Sequence, residues 1–505
     1  MHTAISAFSS LSIRLLLTGA FIALTIYLGY FVERSNFPAF ISAYGLFFAL
    51  YAWLITRPDW SLHDRRWWLG VGIALRIVLL FSIPNLSDDF YRFLWDGRLA
   101  AQGIHPFAHP PVYFLENQIE LRGITPALFS KLNSPEYYTV YPPVCQAVFW
   151  VAAKLFPESL AGGVFVLKLF LFFCELGVLW VLTPPPSPPP GGRGARPQDD
   201  INTEHGQGFH SLKSGKISTL PANFNSACRQ APLPLGGGVG GVVLYALNPL
   251  ILLEITGNAH FEGVMLCFLL AGILFLQKRQ LAPPAAFWAL AVASKLVPLL
   301  FLPIVWVQLG FRKGLRFLLF FSVFSALLFV PLLNLEILEN MAGSLNLYFR
   351  QFAFNASGYY LLKAIGKMFA DPSVDVGRML GPVLGIVVFV GVWVLAFFTR
   401  PTTSSHRTST ALLLAATLYL ALATTVHPWY IALPFGLSLL TKWRYPVVWT
   451  GVAMLSYSHY AGGGFQENYG LIALEYLILL TFAAGEYFLV PKRPSVVIPK
   501  KHRKS

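Results

Sequence analysis

Ser87-Asp88-Asp89-Phe90-Tyr91-Arg92-Phe93-Leu94-Trp95-Asp96-Gly97-Arg98 follows directly on an apolar run, residues 67–84. Two adjacent carboxylates therefore stand at the mouth of a candidate membrane helix. Charges that close to hydrocarbon are costly, and their presence points to function. Adjacent carboxylates repel each other, and a carboxylate in that position suits a general base at a membrane surface. The plainer reading is an acidic helix cap in water, because Asp is favoured at helix boundaries. Spacing alone leaves both readings open.

The rest of the chain sets the class. Of its 505 residues, 55% are hydrophobic and 12% charged, which is too apolar for a soluble enzyme of this size. Apolar runs of about 20 residues recur, each long enough to cross a bilayer. With no β-barrel pattern, they predict an all-α polytopic membrane protein. The net charge of +14 fits basic cytoplasmic loops and does not imply nucleic acid. Cys145, Cys174, Cys228 and Cys267 show no metal-type spacing and predict no disulfide framework. The first run, 11–32, exceeds a signal-peptide core and no small-residue cleavage site follows, so it reads as an uncleaved span.

Charge then orients the chain. Spans are expected at 11–32 and 37–55, and the link 57–66 carries Arg57, Arg65 and Arg66, which places it in the cytoplasm. Span three, 67–84, delivers Asp88 and Asp89 to the extracytoplasmic side. Residues 85–140 form a long external loop with amphipathic pieces at 90–102 and 125–132, read as short interfacial helices anchored by Trp95, Tyr113 and Tyr137. Tyr141-Pro142-Pro143 opens a piece short for a span; a crossing would move Lys278 and Arg279 outside, whereas a re-entrant or interfacial piece keeps every later basic cluster inside, and the latter is the preferred reading. A fourth span covers 160–182.

Residues 183–238, rich in Pro and Gly, read as a disordered cytoplasmic insertion between an N-terminal membrane part, 1–182, and a C-terminal one, 239–490. In the latter, 284–309 is flanked by basic residues at both ends and reads as a hairpin turning near Ser294-Lys295. A second external loop is expected at about 335–377, with Tyr348, Arg350, Asn355, Tyr359 and Tyr360. The tail 491–505 is basic and lacks acids, so both termini are expected in the cytoplasm of a bacterial-type inner membrane. The total comes to about 12–14 spans.

This topology gathers polar groups on the outer face: Asp88, Asp89, Arg92, Arg98, Asn258-Ala259-His260-Phe261-Glu262, Lys295 and His427-Pro428-Trp429-Tyr430. Each alone has a plain explanation. His260 and Glu262 start a helix, Lys295 snorkels, His427 ends a helix, and Trp429 and Tyr430 are belt aromatics. Their shared side suits a site for a lipid-linked phosphate and a sugar.

Ser87-Asp88-Asp89-x-Tyr-Arg-x-Leu-Trp-Asp-Gly-Arg, His105-Pro106, Tyr141-Pro142-Pro143, Asn248-Pro249, Asn258-Ala259-His260, Lys295-x-x-Pro298 and His427-Pro428-Trp429-Tyr430, in that order, resemble the bacterial polyprenol-phosphate-mannose-dependent (alpha-1,6-type) mannosyltransferases of the GT-C class. Phe261-Glu262 stands where that family commonly shows Asn-Asp, and the 183–238 insertion is foreign to the pattern. The resemblance implies a GT-C fold. It also implies inverting transfer from a polyprenyl-phosphate sugar donor to a glycan or glycolipid acceptor at the outer face of the lipid bilayer. By that analogy Asp88 is the base and Asp89 its helper, while Arg92, Arg98 and Lys295 neutralise the leaving phosphate. Trp95, Tyr141, His260, His427 and Trp429 are the further substrate-binding candidates. No cofactor is firmly implied. A divalent metal is compatible with Asp88/Asp89, but two acids fall short of an oxygen cage. The competing classes are a lipid or polysaccharide transporter or flippase, for which an internal repeat is missing, and a GT-C transferase of another sugar.

Overall fold

The computed structural model describes residues 11–57, 60–183, 239–278, 280–332, 334, 337–340, 342–344, 352–399, 405–462 and 464–489. The insertion 183–238 beyond residue 183, the basic tail 491–505, and Tyr348 and Arg350 of the second loop lie outside the described residues. What is described is helical, with only isolated β-bridges at Leu121–Ile124 and Phe354–Thr425. The all-α polytopic class read from composition holds.

Helix α1 (Leu11–Ile26) runs on through a π-helical turn, Tyr27–Phe31, and α2 (Phe37–Ile55) returns. Helix α3 (Leu62–Leu79) starts earlier than its apolar run because Ser61 and Asp64 form a capping box. Asp64 also pairs with Arg14 of α1 at 2.7 Å. The helix ends at Leu79, five residues before Pro84, so the expected span 67–84 is shifted towards the N-terminus. Its C-terminal carbonyl at Leu79 accepts from Lys168 Nζ at 3.0 Å, which also reaches the Ser82 carbonyl at 2.6 Å. A cation at a helix C-terminus meets both the open carbonyls and the macrodipole.

The outer loop is a small helical subdomain: α4 (Asp89–Ala101), α5 (Pro111–Glu116) and α6 (Pro126–Phe129). It has its own core of Trp95, Leu99, Phe114, Ile124, Leu128 and Leu132. Helix α7 (Pro143–Leu155) packs under α4, where Gly97 lies against the Phe149 backbone. Both ends of α7 are tied to neighbouring segments. Val144 N–H donates to Ala293 at its start, and the Glu158 carbonyl just past its end accepts from Arg98. At 13 residues the helix is shorter than a full span.

Then come α8 (Leu160–Leu182), α9 (Val239–Ala246), a π-helix (Ile251–Gly257), α10 (Glu262–Gln277) and α11 (Ala282–Val292). A 3-10 turn (Val297–Phe301), α12 (Leu302–Leu309) and α13 (Phe311–Phe329) follow. Helix α11 rises to a vertex at Ser294-Lys295 and α12 descends, as the flanking charges predict. Both halves pack on α13, and Trp288 Nε1 ties them by donating to the Pro298 carbonyl at 3.0 Å. The last part comprises α14 (Ser357–Phe369), α15 (Val376–Phe398), α16 (Ser405–Leu422), a 3-10 turn (Pro428–Ile431), α17 (Ala432–Ser438), α18 (Tyr445–Val452), a 3-10 stretch (Ala453–Tyr460) and α19 (Tyr469–Leu489).

Among the described residues, 5 helices are long and apolar enough to cross a membrane, or 6 counting the pair 240–246 and 251–257, bent by 59°. The structure thus gives fewer candidate spans by length and composition than the about 12–14 expected. Several helical segments are interrupted at proline: Pro249 separates α9 from the π-helix, Pro298 opens a 3-10 turn, and Pro428 does the same before α17. Others carry charge, as α3 does with Arg76 and α13 with Arg312, Lys313 and Arg316. Arg76 is fully buried and forks onto Glu175 of α8, with Nε to Oε2 at 2.8 Å and Nη2 to Oε1 at 3.3 Å. Its Nη1 donates to the Gly72 and Ala246 carbonyls, and Tyr245 O–H donates to Glu175 at 3.2 Å. This network pins α3, α8 and α9 together. Cys174 and Cys267 are free thiols on facing helices, and Cys145 is free and buried.

Candidate active site

The acidic stretch resolves as the start of α4. Asp88 occupies the N-cap position, yet its side chain makes no capping hydrogen bond. It turns instead to Arg34, in the link between α1 and α2, at 2.5 Å. Asp89, in the first turn, accepts from Asn133 Nδ2 at 2.9 Å and lies 3.9 Å from His260 Nε2. Both acids stand at the helix start without a capping hydrogen bond, and their side chains are a quarter to a third exposed. Chain entry is fixed by Asn85, whose Nδ2 donates to the carbonyls of Leu28 (2.9 Å) and Val32, at the end of α1.

The opposite wall comes from the vertex between α11 and α12. Lys295 pairs with Glu262 at the start of α10, at 2.9 Å. Its Nζ is 5.9 Å from the ring centroids of both Tyr141 and Tyr430, within cation–π range. Burial works against the ammonium, but Glu262, aided by Asp89, outweighs it and holds Lys295 protonated. Burial and the neighbouring Asp89 push the Tyr141 phenol upward, so it stays a hydrogen-bond donor.

The floor is an aromatic stack. His260 lies on Trp429 (3.7 Å, 16°), and Trp429 lies on His427 (4.3 Å, 6°). Both faces of Trp429 are thus covered by imidazoles, so it serves as the rigid support of two histidines. Burial, with help from His260 and Lys295, pushes His427 well below the usual imidazole range. Tyr460 closes the far side, with the Arg34 guanidinium 4.6 Å over its ring.

Of the residues singled out in the sequence, Asp88, Asp89, Tyr141, His260, Lys295, His427 and Trp429 meet around this cleft. Three do not. Arg92 is buried; its Nε donates to Asp96 (2.8 Å) and its Nη1 to the Ser134 and Tyr137 carbonyls, while Nη2 has no hydrogen-bond partner among the described residues. Arg98 is buried and bridges the Gly123 and Glu158 carbonyls at 2.7 and 3.0 Å. Trp95 is fully buried in the loop's own core and is not an interface anchor. The reason is shared. A long loop that folds as a subdomain must satisfy its own carbonyls and fill its own core, and a guanidinium fork suits the first task. Sequence reasoning missed Arg34, Asn133, Tyr460 and Glu254. Glu254 had a usable signal, as a lone acid inside an apolar run. Glu262, placed in doubt by its departure from the family pattern, proves to be the partner of Lys295. Among the described residues no group of three or more His, Cys, Asp or Glu is placed to hold a metal ion.

The chain is similar to known proteins over part of its length. Residues 237–310 match the model of the alpha-(1->6)-mannopyranosyltransferase family, N-terminal domain. That region contains the π-helix, His260, Glu262 and Lys295. The chain is also similar to alpha-(1->6)-mannopyranosyltransferase B of Corynebacterium glutamicum, at 21% identity over 260 residues, covering 48% of this chain and 34% of that protein. The match thus spans about a third of the relative's length. Both matches are to mannosyltransferases, and each covers only part of this chain.

Proposed function

We propose that the protein transfers a mannosyl residue, with inversion, from a polyprenyl-phosphate donor to a mannose-containing glycan or glycolipid on the extracytoplasmic face. The observation that carries this reading is the cleft itself, where two carboxylates not used in capping face two fixed cations at the mouth of a helical bundle. The donor's lipid tail would lie along the apolar helices, its phosphate near Arg34 and Lys295, and its sugar between them and Asp89. Each cation is held by a carboxylate, Asp88 or Glu262, so it is positioned before the substrate arrives.

Inversion needs one base and a leaving group in line. The family analogy gives the base role to Asp88. The geometry favours Asp89, because Asp88 Oδ2 is engaged by Arg34, whereas Asp89 Oδ1 takes Asn133 and its Oδ2 faces the cleft 3.9 Å from His260. Asp89 would accept the proton of the acceptor hydroxyl as its oxygen attacks the anomeric carbon. The C–O bond to the phosphate breaks, and the lipid phosphate leaves against Arg34 and Lys295. Asp88 would keep Arg34 in place. The basic loops and the position of the cleft support cytoplasmic termini in a bacterial inner membrane.

The test is incubation of the purified protein with radiolabelled polyprenyl-phosphate mannose and an octyl α-1,6-mannobioside. Mannose transfer to the bioside with release of lipid phosphate is expected. Consumption of a different lipid-phosphate sugar would replace the donor, and no consumption of any would remove the transferase reading.

A further inference from the structure

The mechanism above leaves a buried acid unused. Glu254 is fully buried in the π-helix Ile251–Gly257. Its carboxylate accepts from Tyr457 O–H at 2.8 Å and from Asn258 Nδ2 at 3.3 Å, and lies 3.2 Å from His260 Nδ1. The other imidazole nitrogen, Nε2, is 3.2 Å from Ser87 Oγ. Ser87 Oγ in turn accepts the backbone N–H of Asp89 at 3.3 Å.

The hydrogen bonds have one consistent direction. With two acceptors of Glu254 facing Nδ1, its carboxylate and its backbone carbonyl at 3.0 Å, the proton belongs on Nδ1. Nε2 is then an acceptor for the Ser87 hydroxyl, which leaves a Ser87 lone pair for the Asp89 amide. A chain of fixed polarity runs from the buried carboxylate to the catalytic stretch.

Two backbone features show that the fold maintains it. π-helical turns are rare and collect at functional sites. Ala259, between Asn258 and His260, sits at φ 61°, a left-handed conformation costly for a residue with a Cβ. Trp429 stacked on His260 and the hydrogen bond from Leu86 N–H to Asn258 Oδ1 at 3.3 Å close the assembly around this turn.

We infer that Glu254 is a positioning residue that acts through His260 and Ser87 to hold the start of α4, and with it Asp89, in register with the donor. The inference rests on the transferase reading. Replacing Glu254 with Gln removes the negative charge that holds the Nδ1 proton and leaves only neutral acceptors there, the backbone carbonyl among them, so the imidazole and the Ser87 hydroxyl are held less firmly.

The experiment is turnover of radiolabelled polyprenyl-phosphate mannose by purified variants. Glu254→Gln is expected to lower kcat about 10- to 100-fold, a typical effect of orienting partners, while KM for the donor stays within about twofold. Ser87→Ala should show the same split. Glu254→Asp, which keeps the charge, should recover part of the loss. Tyr457→Phe removes another Glu254 bond, on the side away from His260, and should leave kcat near wild type. Equal losses in Tyr457→Phe and Glu254→Gln would reduce Glu254 to a structural anchor. Near-normal kcat in both Glu254→Gln and Ser87→Ala, with Asp89→Asn inactive, would overturn this inference and leave the transferase reading standing. If Glu254→Gln does not fold, Glu254→Asp and Ser87→Ala carry the test with the same outcomes. Wild-type protein that consumes no lipid-phosphate sugar overturns both.

Discussion

Asp89→Asn and Asp88→Asn separate the two carboxylates. In Asp89→Asn the side-chain oxygen can still accept from Asn133 at the 2.9 Å contact, and the amide can sit where Oδ2 faces His260. Shape and most hydrogen bonding are kept, and only the basic oxygen is lost. General-base help is worth about 10²–10⁴ in rate, or roughly 3–5 kcal/mol of barrier at about 1.4 kcal/mol per factor of ten. Turnover should fall by that factor with donor KM nearly unchanged. In Asp88→Asn the change is different in kind. The Arg34–Asp88 pair is about a third exposed on each side, so its loss costs about 0–1 kcal/mol. Arg34 then carries an unopposed charge beside the phosphate position. Donor affinity should tighten by a few-fold, and turnover should change by less than about tenfold, the equivalent of ~1.4 kcal/mol. The assay is donor consumption against donor concentration, with single-turnover rates for each variant. An inactive Asp88→Asn beside an active Asp89→Asn would swap the roles, as the family analogy has them. Near-normal turnover in both would take the pair out of the chemistry and return the transporter reading.

Two further outcomes test the frame that holds the site. Arg76→Met strands Glu175 in the bundle and should cost about 3–5 kcal/mol in unfolding, whereas Arg76→Met with Glu175→Leu should recover most of it; purely additive losses would refute the network. For His427, burial depresses the imidazole in the fold below its ordinary 6.5, so the unfolded chain binds the proton first as pH falls. Its contribution is full above about pH 6.5 and is lost as pH drops through the folded value. The thermal midpoint of wild type should therefore fall between pH 7.5 and pH 5 by more than that of His427→Asn, and parallel pH profiles would refute it.

Much of this architecture was legible because two signals are local. Runs of apolar residues mark helices, so 37–55 and 160–182 match α2 and α8, and the proline and basic flanks of 284–309 mark where that run turns. The vertex at Lys295 could be placed from the basic flanks of 284–309 alone. Boundaries failed where polar caps intervene, as at Ser61 and Asp64 of α3. Roles failed where the deciding partner is distant in sequence. Arg92 and Arg98 read as phosphate ligands because positive charge near a carboxylate pair is all that spacing reveals. That each donates to loop carbonyls depends on contacts 25–60 residues away. Arg34 failed in the opposite sense. It is 54 residues from Asp88, and nothing in its own neighbourhood marks it as a site residue.

The breaks in the helices and the placement of the site share a cause. An uninterrupted α-helix satisfies every interior backbone group and presents only side chains, so it can deliver a polar residue to a bilayer surface only at its end. Here the polar residues sit at ends created within the bundle. The π-helix after Pro249 brings Glu254 and His260 to the cleft, the 3-10 turn at Pro298 follows the Lys295 vertex, and the 3-10 turn at Pro428 sets Trp429 between two histidines. Each break frees backbone groups that must be satisfied at once. Asn248 Oδ1 takes the Ile251 amide and Trp288 donates to the Pro298 carbonyl. The motifs Asn248-Pro249, Lys295-x-x-Pro298 and His427-Pro428 thus combine two tasks: the proline ends a helix, and a polar neighbour caps the break or faces the cleft. On this argument Pro298→Ala, which permits the helix to continue through the vertex, should move Lys295 away from Glu262 and weaken donor binding more than it weakens the fold.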